Sequence, residues 1–377
     1  MTVKVWLLFL SLSAGQFLFA QKSIPTIKAR SNVISIRDGA NFYKDCGTIT
    51  PQKKPDIYNT HSVGKVVTLY TDEDSISVKI TYQTKFNFLI LLNDTTEALL
   101  QIAYKPSYLD ILRGAKKYNY NDHRTIPRFA YQDSCNTDLA ALKKELNLDS
   151  IAGYGNDVSK ILNLLHWVHN LIPHEGNGEN PTIKNAISMI AQCKRDDQGL
   201  NCRGLATVLN ECYLAMGFKS RFITCMPKDS VFNDCHVINS VYALSIRKWI
   251  WIDPTNNAYV MNEKGELLSI EEVRERLISN KPLLLNPDAN WNNKSTITKE
   301  DYLYNYMAKN LYRLECPLES KYDTETQEEG KVITYVELLP LDAFQQKPDK
   351  SESTDAKTGT TVVYLKTNNP TNFWQPK

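Results

Sequence analysis

Cys202, His236 and Asp253 are the residues whose types and order could make a nucleophile. Cys202 opens the apolar stretch "CRGLATVLNECYLAMGF", after a flexible Gly-Leu-Asn approach. Within it Leu205, Val208, Leu209, Cys212, Tyr213 and Met216 recur at the spacing of an amphipathic helix, and Gly217 is well placed to end it. A cysteine inside a helix is ordinarily a small core residue. At the first turn its situation changes. A thiol is a poor nucleophile until it ionises, with a free pKa of about 8.5, and the positive end of a helix favours the thiolate. His236 stands near the start of one strand, "CHVINSVYAL", and Asp253 at the end of the next, "KWIWIDPT". A short polar turn joins these strands into a hairpin, so both side chains reach one end of a sheet. The histidine would take the thiol proton and return a proton to the leaving group. The aspartate would accept from the other ring nitrogen and fix the tautomer. Backbone N–H groups at the start of the Cys202 helix are candidates to stabilise an oxyanion.

The neighbouring residues are read with the same chemistry in view. "HWVHNLIPHEG" holds His166, His169 and His174. The first two are three apart on a helix, but no carboxylate or cysteine completes a metal site of standard spacing, so no metal and no cofactor is expected. His169 reads as a packing or capping residue. His174 lies on the loop after the helix and is placed at the border of the cleft, as a substrate-binding candidate. Trp251 shares its strand face with Asp253 and is the second such candidate, a wall shielding the site. Cys235, beside His236, should point to the opposite strand face. It reads as structural, with Cys225 as candidate disulfide partner. The eight cysteines are too sparse for a disulfide scaffold and have no zinc-knuckle spacing. If Cys202 stays free, seven remain, and seven cannot all pair.

Positioning these residues requires an α+β fold. Residues 21–145 are β-rich: "KVVTLYT" and "SISVKITYQTKFNFLILLN" carry β-branched and aromatic residues, broken by "TDED" and "LNDTTE". They form a separate N-terminal module without a catalytic pattern. Near residue 150 the periodicity changes. "DVSKILNLLHWVHNLI" aligns Val158, Ile161, Leu162, Leu165, Val168 and Ile172 on one helical stripe, which Pro173 ends. "TIKNAISMIAQCK" is a second helix, the Cys202 segment a third, and "SRFITCMP" opens the strands. Residues 146–300 make up the core that carries the three chemical residues. Residues 301–377 extend it with a helix, "YLYNYMAKNLYRL", a polar loop, "QQKPDKSESTDAKTG", and a strand, "TTVVYLKT".

Taken together, "GLNCRGLATVLNECYLAMGFKSRFI", "DCHVIN" and "KWIWIDPT" resemble the three motifs of the transglutaminase-like superfamily, over roughly residues 155–260. The resemblance is to its exported bacterial type. It implies a papain-like core, in which a helix bearing the cysteine packs on an antiparallel sheet bearing the histidine and the acid. It carries the nucleophile to Cys202, the base to His236 and the orienting acid to Asp253. Ile238 departs from the pattern, which often has a tryptophan there. The family includes cross-linking transglutaminases, proteases, peptide-N-glycanases and members with no known activity. The implied reaction is acyl transfer at an amide through a thioester, on a protein or peptide substrate. The rival reading is a binding or scaffold protein that keeps the core without turnover.

The bulk of the sequence narrows the setting. Against 42 acidic residues stand 44 basic ones, a balance that gives no reason to expect a nucleic-acid partner. "MTVKVWLLFLSLSAGQFLFAQKS" reads as a secretory signal peptide cleaved near Ala20. No later stretch is long and apolar enough for an integral membrane segment. The expected location is secreted or periplasmic.

Overall fold

The structure is a computed structural model and describes residues 24–51, 54–229 and 234–374. The leader expected over residues 1–20 lies outside the described residues. Two compact units divide the chain, Met1–Pro106 and Ser107–Lys377.

The first unit holds two four-stranded sheets. One runs in the order Thr26–Ala29, Lys85–Leu92, Thr96–Tyr104, Asp56–Thr60; the other runs Asn41–Thr48, Val33–Asp38, Val66–Tyr70, Ser75–Lys79. Alternation along the strands turns Ile34, Ile36, Val67 and Leu69 of one sheet, and Phe88, Ile90, Leu100 and Ile102 of the other, into a shared core. The hairpin between Lys85–Leu92 and Thr96–Tyr104 turns at Asn93 and Asp94, both in the left-handed region that these residue types tolerate.

The second unit is α+β. Its seven-stranded sheet is ordered Lys248–Ile252, His236–Ala243, Ser220–Met226, Arg313–Pro317, Val332–Leu338, Thr361–Thr367, Lys350–Thr354. Adjacent strands are antiparallel except Val332–Leu338 and Thr361–Thr367, which run parallel. The predicted hairpin between the His236 and Asp253 strands forms, with Ala243 opposite Lys248. Helices Asp157–Leu171, Ala186–Asp196 and Cys202–Ala215 share a core with Val241, Ala243, Ile250 and Ile252 on one face of the sheet. Ile223, Ile238, Trp251, Leu314 and Val336 line the other face, beneath helix Ile270–Ile278 and the π-helix Glu300–Met307.

Three elements differ from expectation. The Cys202 helix is buried from Gly204 to Ala215, not on one stripe, because the sheet lies on one side and other helices cover the rest. Its polar residues are correspondingly engaged. Glu211 accepts from the Ala186 and Asp323 amides, and the Tyr213 hydroxyl donates to the Ile161 carbonyl. The helix at "YLYNYMAKNLYRL" ends at Asn310, and Arg313–Pro317 becomes an interior strand. Within the expected polar loop, Lys350–Thr354 pairs with Thr361–Thr367 alone. Its "KSEST" sequence suits a sheet edge that must not recruit another chain.

Among the described residues no helix is long and apolar enough to cross a membrane.

Candidate active site

Cys202 is the first residue of its helix, and Asn201 caps it. The Asn201 Oδ1 accepts from the Arg203 and Gly204 amides at 3.1 and 3.3 Å. Asn180 holds the cap in turn, donating to that Oδ1 at 2.7 Å and accepting from the Asn201 amide at 3.1 Å. This close approach depends on Gly204, where a Cβ would lie 2.6 Å from Asn180 Oδ1. The Gly-Leu-Asn approach, expected to be flexible, is bonded instead. Leu200 donates to Pro173 O at 3.1 Å, and Glu175 donates to Leu200 O at 2.8 Å. Gly199 permits the pairing, since a Cβ there would meet Pro173 O at 2.4 Å.

His236 and Asp253 arrive from the sheet. Val237 packs on the Cys202 side, so His236, one residue earlier, projects with Ile238 toward the other face. Asp253 follows Ile252 at the end of its strand and lies on that same face as Trp251. The His236 Nε2 donates to Asp253 Oδ2 at 2.7 Å; the ring is 2% exposed and the carboxylate 0%. Four further donors converge on that carboxylate. The Tyr302 hydroxyl reaches Oδ2 at 2.5 Å and Asn256 Nδ2 reaches it at 2.9 Å. The amides of Thr255 and Asn256 reach Oδ1 at 2.9 and 3.4 Å. Burial acts to raise the Asp253 carboxyl, but the His236 charge and these donors hold it below its ordinary 3.8.

The same pairing sets the other two groups. Burial acts against a charged His236, yet the Asp253 charge and hydrogen bond, with help from Cys202, push it from 6.5 up to about 10. Burial would raise Cys202 as well. Hydrogen bonds from His174 and His236, the His236 charge and the Val237 amide overcome that and bring it from 9.0 down to about 6. Burial pushes Cys193, Cys212, Cys225, Cys235 and Cys316 the other way. Both shifts favour the charged pair, thiolate and imidazolium.

The group opens onto a cavity of about 340 Å³ lined by His174, Gly176, Cys202, Cys235, His236, Trp291, Ile297, Tyr302 and Tyr306, among others. Tyr306 sets its ring edge-on to His236, with centroids 5.2 Å apart. Tyr302 and Tyr306 both come from the π-helix, a form often found at functional sites.

No protein-family model matches the chain, and no curated protein matches it significantly. Parts of it resemble solved structures. A candidate cysteine protease from Cytophaga hutchinsonii aligns at 15% identity over 44% of this chain and 56% of its own, with a TM-score of 0.25. A candidate protease from Parabacteroides distasonis aligns at 12% identity over 51% of this chain and 34% of its own, with a TM-score of 0.21. Red sea bream transglutaminase aligns at 13% identity over 62% of this chain and 49% of its own, also at 0.21. Each alignment thus spans between about a third and just over half of the other chain. At these scores the likeness is loose.

Several positions differ from the sequence reading. Trp251 is not a cavity wall. It is fully buried, and its indole donates to the Tyr302 hydroxyl at 3.2 Å, one layer behind Asp253. Sharing a strand face with Asp253 placed it in the core beneath the site, because helix residues cover that face. Cys235 does line the cavity. The strand begins only at His236, so alternation does not govern the residue before it. Cys225 and Cys235 are unpaired thiols, as are the other six cysteines. Of the backbone N–H groups at the start of the Cys202 helix, those of Arg203 and Gly204 donate to Asn201 Oδ1. His166 Nδ1 lies 2.6 Å from Asn257 Oδ1; buried His169 contacts Pro254 O and Asn290 Oδ1 at 2.9 and 3.0 Å. His174 lines the cavity. Tyr302, Tyr306, Asn256 and Trp291 were missed. The i, i+4 tyrosines of "YLYNYM" were visible as a helical face, but nothing local tied them to Asp253.

Proposed function

We propose that the chain is a cysteine-dependent acyl-transfer enzyme of transglutaminase-like, papain-like type. The observation that carries this reading is the His236–Asp253 hydrogen bond set in the wall of the cavity that Cys202 also lines. Cys202 is the nucleophile, His236 the acid and base, Asp253 the orienting group.

The chemistry follows from the charges. The Cys202 thiolate adds to an amide carbonyl, forming the C–S bond while the carbonyl π pair moves to oxygen. The oxyanion collapses, the C–N bond breaks, and His236 gives its proton to the departing amine. A thioester on Cys202 remains. Neutral His236 then takes a proton from water as water attacks, sulfur leaves as thiolate, and the acid is released. An amine entering in place of water would give transamidation. Water is the abundant acceptor, and hydrolysis of a protein or peptide amide is the reading adopted. A binding scaffold would have no use for a thiol lowered where burial raises Cys193, Cys212, Cys225, Cys235 and Cys316.

The test is acyl-enzyme trapping. Treated with p-nitrophenyl acetate, the wild type gains one acetyl group on Cys202 by peptide mass spectrometry, faster than exposed Cys46 and Cys135. Cys202→Ala gains none in that cavity. A wild type acetylated no faster at Cys202 than at the exposed thiols would favour the binding scaffold instead. A separate proposal, from the N-terminal sequence, is that residues 1–20 are an export leader. The intact mass of protein exported by an expressing cell should match a chain that begins at Gln21, whereas a mass that includes Met1 would contradict it.

A further inference from the structure

Acyl transfer builds a negative charge on the carbonyl oxygen, and the Arg203 and Gly204 amides are already taken by Asn201, so beside the Cys202 amide the charge calls for a side-chain donor. We infer that His174 is the side-chain donor that stabilises this oxyanion, held in its Nε2–H tautomer by the indole of Trp291, an assignment that rests on the acyl-transfer reading above.

Placement comes from the backbone. His174 bridges to Leu200 in a short parallel ladder, which sets it beside the residues that lead into Cys202. Asn292 grips it from the other side, accepting from the His174 amide at 2.7 Å and donating to its carbonyl at 2.9 Å. The segment 286–293 is itself tied to helix Asp157–Leu171, through Asn290 to His169 at 3.0 Å and Asn293 to Asn170 at 2.8 Å. The side chain is therefore fixed before any substrate arrives.

The tautomer follows from the partner. The Trp291 Nε1 lies 3.0 Å from His174 Nδ1. An indole N–H only donates, so Nδ1 must be the acceptor and the ring proton sits on Nε2. The free edge of the ring faces the cavity over Gly176, where a Cβ would stand 3.2 Å from His174 Cε1. That edge shares the cavity wall with Cys202, whose thiol pKa it helps to lower. The two histidines at the sulfur thus have different work. His236 carries the transferable proton. His174 has its lone pair occupied by Trp291 and acts as a neutral donor that keeps its proton. A donor on the same cavity wall as the sulfur is within reach of the oxygen of a carbonyl that the sulfur attacks, and a prepositioned donor needs no reorganisation as the charge forms.

Two reagents separate this role from that of the nucleophile. Iodoacetamide alkylates sulfur by displacing iodide and builds no oxyanion; p-nitrophenyl acetate acylates through one. Both rates at Cys202 are measured at pH 9, where the thiolate is fully formed, in wild type, His174→Ala, His174→Gln and Trp291→Phe. The ratio of acylation to alkylation should fall about 10²-fold in His174→Ala. It should recover at least about tenfold of that loss in His174→Gln, whose side-chain N–H restores a donor. In Trp291→Phe, which frees the tautomer, it should fall several-fold. An unchanged ratio in His174→Ala, with Cys202 still alkylated, overturns the assignment and leaves the acyl-transfer reading standing. If His174→Ala does not fold, an unchanged ratio in Trp291→Phe overturns it. A wild type in which Cys202 reacts with neither reagent overturns both.

Discussion

Asp253→Asn should lower kcat/KM for thioester formation by up to about 10⁴-fold while the protein stays folded. The Asp253 carboxylate is fully buried and receives only donors. His236, Tyr302 and Asn256 side chains point at Oδ2, and the Thr255 and Asn256 amides point at Oδ1. An asparagine has one oxygen and one NH₂, so one of these two sets must face a donor. If the NH₂ faces His236, the ring must accept at Nε2, and its proton moves to Nδ1, the nitrogen left to face Cys202. That tautomer cannot take the thiol proton. If the NH₂ faces the two amides instead, two buried N–H groups lose their acceptor, at a cost of about 1–3 kcal/mol each. Both placements remove the anion that keeps His236 charged. Tyr302→Phe removes one donor and leaves the tautomer intact, so its loss should be far smaller, about tenfold. Single-turnover acylation, with circular dichroism to confirm folding, measures both. An Asp253→Asn protein within tenfold of wild type would show that Asp253 does not orient the base.

The residues that legibility favoured are those whose local pattern and chemistry coincide. Cys202 at a helix start, His236 at a strand start and Asp253 before a proline each carried a local structural signal, and the hairpin between the last two followed from a short turn. The α+β class and the strand returning at Thr361–Thr367 were legible for the same reason. What escaped depends on contacts between distant segments. Tyr302 reaches Asp253 across 49 positions, and Trp291 reaches His174 across 117. No periodicity reports such a pairing.

Burial was harder to read than element type. Arg221 is fully buried, with its guanidinium 4.4–5.4 Å from the rings of Phe129, Trp249, Phe373 and Trp374, and it donates to Phe373 O at 2.7 Å. A charged residue in a strand pattern would ordinarily be placed facing water. The aromatic faces that accept it come from both ends of the unit and from a short terminal helix, Pro370–Trp374. The Trp251 misplacement has the same origin: strand parity fixes the face, but only the covering helices decide whether that face is a cleft or a core.

The central claim is that His236 makes Cys202 a thiolate at neutral pH, and the pH dependence of Cys202 alkylation tests it directly. Labelling by iodoacetamide requires the thiolate, so the rate follows ionisation of the sulfur. In wild type the Cys202 thiol ionises near pH 6, and His236 stays charged until about pH 10. The rate should therefore rise through about pH 6 and hold a plateau below pH 10. In His236→Ala the imidazolium is gone and burial still opposes the charge, while His174 and the Val237 amide still favour it, so the midpoint should move up toward the ordinary 9.0. The midpoint is the quantity to compare, since a more acidic thiolate is also intrinsically less reactive. A wild-type midpoint near 6 that moves clearly up in His236→Ala, where only the His174 and Val237 contributions remain against burial, is the expected result. A wild-type midpoint near 9, or one that His236→Ala leaves in place, would contradict it.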